Sequence, residues 1–138
     1  MTSTLANAGA LQTRFTVQTI VHQCFAELDL DAVVYPSGNI PPGILGFPEE
    51  PAVNDRGLNW TTISSRGFPS MTVPAGFTTK VYDRGADGAL LPPKPAALPV
   101  GIDFLGLPFT EGTLFEIGSA YEAATRNRKQ PPEFGPLD

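Results

Sequence analysis

Two apolar runs, FPSMTVPAGF from Phe68 and LPVGIDFLGLPF from Leu98, are interrupted and bounded by Pro and Gly and followed by the amphipathic stretch TEGTLFEIGSAYEAATRNRK from Thr110. Such punctuation confines each run to a short strand, because proline cannot donate to a ladder and glycine marks sharp entry or exit. In the first run Met71 and Val73 point to one face and Ser70 and Thr72 to the other, and the flanking prolines limit pairing to the middle. Gly67 and Gly76 stand where the chain must enter and leave that strand sharply, and a residue without Cβ permits those angles. Leu98 to Leu105 returns as a second strand, and Thr78 to Ala97, rich in Pro, Gly and Asp, reads as a hairpin-like excursion between the two.

The closing stretch has Thr110 as N-cap with Glu111 in its first turn. Leu114, Ile117, Gly118, Tyr121 and Ala124 form the inward face. Glu122 and Arg126 are four apart on the outer face. Arg126, Arg128 and Lys129 sit at the end as cations opposing the helix dipole, before Pro131 and Pro132 stop the helix.

Upstream, Val17, Ile20, Val21, Cys24, Phe25 and Leu28 recur at helical spacing, so Leu11 to Leu28 is expected to be a helix with this side buried. Asp31 to Tyr35 (DAVVY) then reads as a short strand interior to a sheet, ended by Pro36, Ser37 and Gly38. Gly38 to about Asn59, with Pro41, Pro42, Pro48 and Pro51, is a long loop, and Trp60 to Ser65 is either a helical turn or an extended approach. The order is α, β, long loop, β, excursion, β, α, an α/β arrangement within a single domain over residues 1–138.

Composition supports a folded chain. Hydrophobic residues make up 41% and charged residues 17%, unlike a disordered profile. The 15 prolines and 14 glycines are about a fifth of the chain, well above ordinary usage, so much of the backbone is turns and loops. A net charge of −5 and a pI near 4.7 argue against nucleic acid or an anionic membrane as partner. The single cysteine excludes an internal disulfide, and no apolar stretch reaches the roughly 20 residues of a membrane span, so a soluble, cytoplasmic protein is expected.

The order of motifs resembles the C-terminal part of the amidase signature family. There a helix is followed by D-hydrophobic-hydrophobic-x-P-[TS], a loop, G-x-P-[AS]-x-x-V-P-x-G, L-P-V-G-hydrophobic-Q-hydrophobic-hydrophobic-G, and a helix with an acid in its first turn. Here Asp31 through Ser37 supply the first; Gly67, Pro69, Ser70, Val73, Pro74 and Gly76 the second; Leu98 through Gly106, with Glu111 after them, the third and the helix start. The resemblance covers most of Phe15 to Lys129. It implies the last strands and flanking helices of a mixed amidase-type sheet. Asp103 stands where the family usually has Gln, and Ser64 where it usually has Asn.

The resemblance further implies amide hydrolysis by a Ser, cis-Ser, Lys triad, with the oxyanion held by a Gly-rich loop. That Gly-rich paired-serine segment has no counterpart in the 138 residues, so the expected role is scaffold and pocket wall, without activity alone and without a cofactor. Ser64 and Ser65 are adjacent but followed by Arg66 and Gly67, not enclosed by glycines. Lys80, Lys94 and Lys129 fall in loops or at a helix end, where solvation opposes the lowered pKa that a base requires. No catalytic residue is assigned.

His22 has no second histidine, and Cys24 falls on the apolar face as a small core residue. Asp29, Asp31, Glu49, Glu50 and Asp55 lack the spacing of a calcium loop, so no metal site is assigned either. Phe47 and Trp60 are the candidate substrate-binding residues, walls of an acyl pocket in a complete enzyme. The partners expected are a complementary amidase segment or a second copy. A small-molecule amide enters only in a complete enzyme. The competing reading is a non-catalytic binding or oligomerisation module that uses an exposed sheet surface.

Overall fold

The computed structural model describes residues 2–38, 61–83, 85, 87 and 89–130. Among the described residues three helices and five strands follow in the order α1 (Thr2–Leu28), β1 (Val33–Pro36), α2 (Thr61–Ser64), β2 (Ser70–Phe77), β3 (Lys80–Val81), β4 (Lys94–Pro95), β5 (Pro99–Leu105) and α3 (Glu111–Thr125). This is an α/β chain in which every described strand pairing is antiparallel.

The main sheet has the order β1-β5-β2. Strand β5 is therefore central, and DAVVY lies at an edge of the sheet as described, not in its interior. The clue was Pro36, which pairs with Ile102 inside the strand; a residue without an N–H fits an edge. Val34 is correspondingly 54% exposed.

Strand β2 also departs from the sequence reading, since pairing continues past Pro74 to Phe77. An irregularity between Pro74 and Gly76 absorbs the missing donor, and Gly76 has φ +123°. Gly67, at φ +101°, turns the chain into β2, so both glycines hold conformations that an L side chain rarely adopts. The expected excursion between the two long strands is the β3–β4 ladder, tied down by an ion pair of 2.5 Å between Lys94 Nζ and Asp83 Oδ2.

The core forms where α3 covers one face of the sheet. Val73, Phe104 and Leu114 are buried together, with Met71, Ile102, Ile117, Tyr121 and Ala32 packed around them. The Phe104 and Tyr121 rings meet edge to face, centroids 5.7 Å apart. Buried Gly118 lets α3 approach closely, because Met71 occupies the place of its missing Cβ. Ala124, expected on this face, is exposed.

Both ends of α3 differ from expectation. Thr110 occupies the N-cap position without a side-chain cap, because its hydroxyl turns back and donates to the Leu107 carbonyl at 2.8 Å. The C-terminal end closes at Arg126, left-handed at φ 50°, whose N–H donates to the Glu122 carbonyl at 2.9 Å. The cationic cluster lies beyond the last turn, and Lys129 sits 5.7 Å from the Phe77 ring centroid. Pro131 and Pro132 are outside the described residues.

Helix α1 begins at Thr2, well before Leu11, and ends with Asp29 at φ 50° and a Leu30 N–H to Phe25 carbonyl bond of 3.0 Å. Its packed side takes in only half of the apolar stripe read from the sequence: Phe25 is buried, and Val17 and Val21 are half-buried. Arg14 Nε (3.2 Å) and Gln18 Nε2 (2.7 Å) donate to the Arg66 carbonyl, His22 packs on the Phe68 ring at 5.7 Å, and Phe25 is buried. Ile20, Cys24 and Leu28 are exposed. Cys24 is therefore not a core residue: two polar side chains anchor the helix to the turn before β2, and that anchoring leaves Ile20, Cys24 and Leu28 turned outward.

Candidate functional site

The face of the sheet opposite α3 is polar at its centre. Register places Tyr35 of β1, Asp103 of β5 and Thr72 of β2 in one row across three strands, and period two puts all three on the face away from Phe104 and Val73. Ser37, two residues after Tyr35, joins them from the end of β1.

One oxygen holds this group together. The Thr72 hydroxyl donates to Asp103 Oδ1 at 2.6 Å, and the Ser37 hydroxyl donates to the same atom. The Ser37 N–H donates to the Gly101 carbonyl at 3.0 Å, which extends the β1–β5 ladder by one residue. Glycine at 101 is what leaves room, since a Cβ there would lie 2.7 Å from Ser37 Oγ and 3.0 Å from Thr72 Cγ2. Burial, and secondarily the Asp103 charge, raises the Tyr35 phenol above its ordinary pKa.

Thr72 is exposed, and Tyr35, Ser37 and Asp103 are half-buried. A carboxylate ringed by hydroxyls in this way is a hydrogen-bonding surface, with both acceptor and donor atoms at fixed positions. The sequence showed Asp103 only as a departure from Gln, and Thr72 and Ser37 only as strand-face and strand-stop residues; their convergence depends on β5 lying between β1 and β2.

The other sequence candidates are dispersed. Ser64 ends α2 and Ser65 follows it in a turn closed by Arg66 N–H to Ile63 carbonyl (2.9 Å) and Gly67 N–H to Ser64 carbonyl (3.0 Å). Lys80 and Lys94 are exposed on the β3–β4 ladder, the latter ion-paired, and Lys129 lies beyond α3. His22 is exposed beside Phe68. Among the described residues no three His, Cys, Asp or Glu side chains are grouped to hold a metal, and no helix is long and apolar enough to cross a membrane. Phe47, Trp60, Glu49, Glu50 and Asp55 lie outside the described residues.

Comparison with known proteins gives this geometry its relatives. No family-level sequence model matches the chain. The glutamyl-tRNA(Gln) amidotransferase A subunit of Desulforudis audaxviator is 31% identical over 122 residues, 85% of this chain and 21% of the relative. Its counterpart in Methylocella silvestris is 30% identical over 128 residues, 86% of this chain and 22% of the relative. A shorter match, 38% identical over 73 residues, joins 53% of this chain to 12% of the counterpart in Lactiplantibacillus plantarum.

Among solved structures, the crystal structure of PAM12A superposes with a TM-score of 0.58 at 28% identity, covering 95% of this chain and 23% of that one. The chain thus spans about a fifth of the length of the curated relatives it matches. The matched part is the C-terminal part of those relatives: the chain is a relative of the C-terminal segment of the amidase signature family.

Proposed function

We propose that the chain serves as scaffold and pocket wall of an amidase-type carbon–nitrogen hydrolase, with the Ser, cis-Ser and Lys machinery supplied by a complementary amidase segment. The observation that carries this reading is the match of most of the chain to the C-terminal part of the amidotransferase relatives. In this reading the chain alone hydrolyses no amide, takes no cofactor and works in the cytoplasm. Phe47 and Trp60 line the acyl pocket of the complete enzyme, whose substrate is a small-molecule amide.

Incubating the purified chain with simple aliphatic and aromatic amides tests the reading: no ammonia or amine release is expected without the complementary segment. Turnover by the chain alone, with a covalent acyl adduct mapped to one of its own side chains, would overturn it. The exposed edge residue Val34 favours a second reading, a non-catalytic module that associates through its sheet edge. Light scattering separates the two, because a strictly monomeric chain rules out self-association.

A further inference from the structure

Helix α1 is poorly equipped to stay helical by itself. Its 27 residues carry no acid in the first turn and no base in the last, so neither end of its dipole is opposed. Gly9, with nothing within 4 Å of its missing Cβ, is a costly residue for a helix interior. The hydroxyls of Thr13, Thr16 and Thr19 donate to the Gly9, Gln12 and Phe15 carbonyls at 3.0, 3.0 and 2.9 Å. Such back-bonding, with β-branched Val17, Ile20 and Val21 beside it, disfavours the helix further. A helix of this make-up depends on tertiary contacts to remain formed.

Those contacts are gathered at the β2 entry. From residue 8 to residue 16 every residue of α1 is exposed, and α3, not α1, is the helix that covers the sheet. Among the described residues the anchors are Arg14 Nε and Gln18 Nε2 on the Arg66 carbonyl, the His22 ring on Phe68, and buried Phe25. Two of the four converge on one backbone oxygen, in the turn closed by the Arg66 and Gly67 N–H groups. The core of Val73, Phe104 and Leu114, with the residues packed around it, uses no side chain of α1.

We infer that α1 is a conditional helix, a separate cooperative unit latched by Arg14 and Gln18 to the Arg66 carbonyl, which melts on release while β1, β5, β2 and α3 stay folded. Segments with little buried apolar surface open below the free energy of global unfolding, as contiguous units. Release takes the His22 ring off Phe68, which is 3% exposed in the latched state. The state of α1 therefore sets how far the β2 entry is uncovered. The device is a property of the 138-residue chain and does not depend on the function proposed above.

Amide hydrogen exchange on the full chain, resolved by residue and corrected for intrinsic rates, tests the latch. Amides of α1 between Leu11 and His22 are expected to exchange at least about a hundredfold faster than those of β5 and of α3 between Leu114 and Tyr121. Arg14→Ala and Gln18→Ala each remove one latch donor and should speed α1 exchange by roughly two- to tenfold, with β5 and α3 unchanged. Alanine is the better helix former, so faster exchange cannot come from lost propensity. Equal protection of α1 and β5 overturns the inference, because the two then open together. A latch variant that fails to fold, or that speeds β5 and α3 by the same factor as α1, overturns it as well. Variants that leave α1 exchange unchanged overturn the assignment of the latch to the Arg66 carbonyl.

Discussion

Ser37 occupies the space beside Gly101 that any other residue at 101 would fill with its own Cβ, at 2.7 Å from the Ser37 hydroxyl oxygen. The close approach is what allows that hydroxyl to reach Asp103 while the Ser37 N–H bonds the Gly101 carbonyl. Gly101→Ala must displace Ser37, Thr72 or both. A loss of about 1–3 kcal/mol in urea or thermal unfolding is expected, the usual cost of overpacking a fitted site. Combining it with Ser37→Gly should recover part of the loss, and an unchanged melting point for Gly101→Ala would contradict the packing.

Asp103 ties both neighbouring strands to the central one, so its acceptor oxygen matters more than its size. Asp103→Ala removes the partner of two hydroxyls and should cost about 1–2 kcal/mol, tempered by the access of Thr72 to water. Asp103→Asn keeps an acceptor oxygen and should cost less than Asp103→Ala. A double-mutant cycle of Ser37→Ala with Asp103→Ala should show a coupling of roughly 0.5 kcal/mol or more. Independent, additive losses would mean that the bond contributes nothing.

Tyr35 reports on the same row by its titration. Burial first and the Asp103 charge second favour the neutral phenol in the folded state, so its folded pKa lies above the ordinary value of about 10. Because the ionised form is the one the fold disfavours, this group costs no stability below the ordinary value, and the folded state loses stability relative to the unfolded chain as pH rises from that value to the folded one. Absorbance titration at alkaline pH, with Tyr35→Phe as the difference reference, should show Tyr35 ionising later than a free tyrosine. Asp103→Asn should reduce the shift without abolishing it, because the larger cause remains.

Phe109 combines a left-handed backbone, φ 69°, with a side chain 95% exposed. A non-glycine residue there carries a steric cost of about 1 kcal/mol, and the ring recovers none of it by burial. Phe109→Gly should therefore stabilise the chain by roughly 0.5–1 kcal/mol in chemical denaturation, after the added flexibility of the unfolded chain is subtracted. A loss of stability would show that the ring makes a contact essential to the fold.

Helix and strand identities were legible because they rest on spacing along the chain. Met71 and Val73 alternate with Ser70 and Thr72, Leu114, Ile117, Gly118 and Tyr121 recur at helical period, and glycine stands at 67 and 76 where φ is positive. The order of the Pro-bounded motifs also pointed to the amidase signature relatives, since ordered short motifs survive as long as the strands they bound. Phe47 and Trp60 remain sequence-based candidates outside the described residues.

What the linear pattern could not carry was the choice of neighbour. Nothing local says that β5 lies between β1 and β2, so DAVVY read as interior and the meeting of Ser37, Thr72 and Asp103 went unseen. Nor does apolar spacing say which side of α1 is held. Hydrogen bonds from Arg14 and Gln18 to a carbonyl some fifty residues away turned Cys24 outward. Local pattern was enough to set the elements and their kinship, because backbone propensity and periodicity act over a few residues. Which polar atoms converge, and which apolar stripe is left open, came from the folded arrangement, because both depend on contacts between residues far apart in the chain.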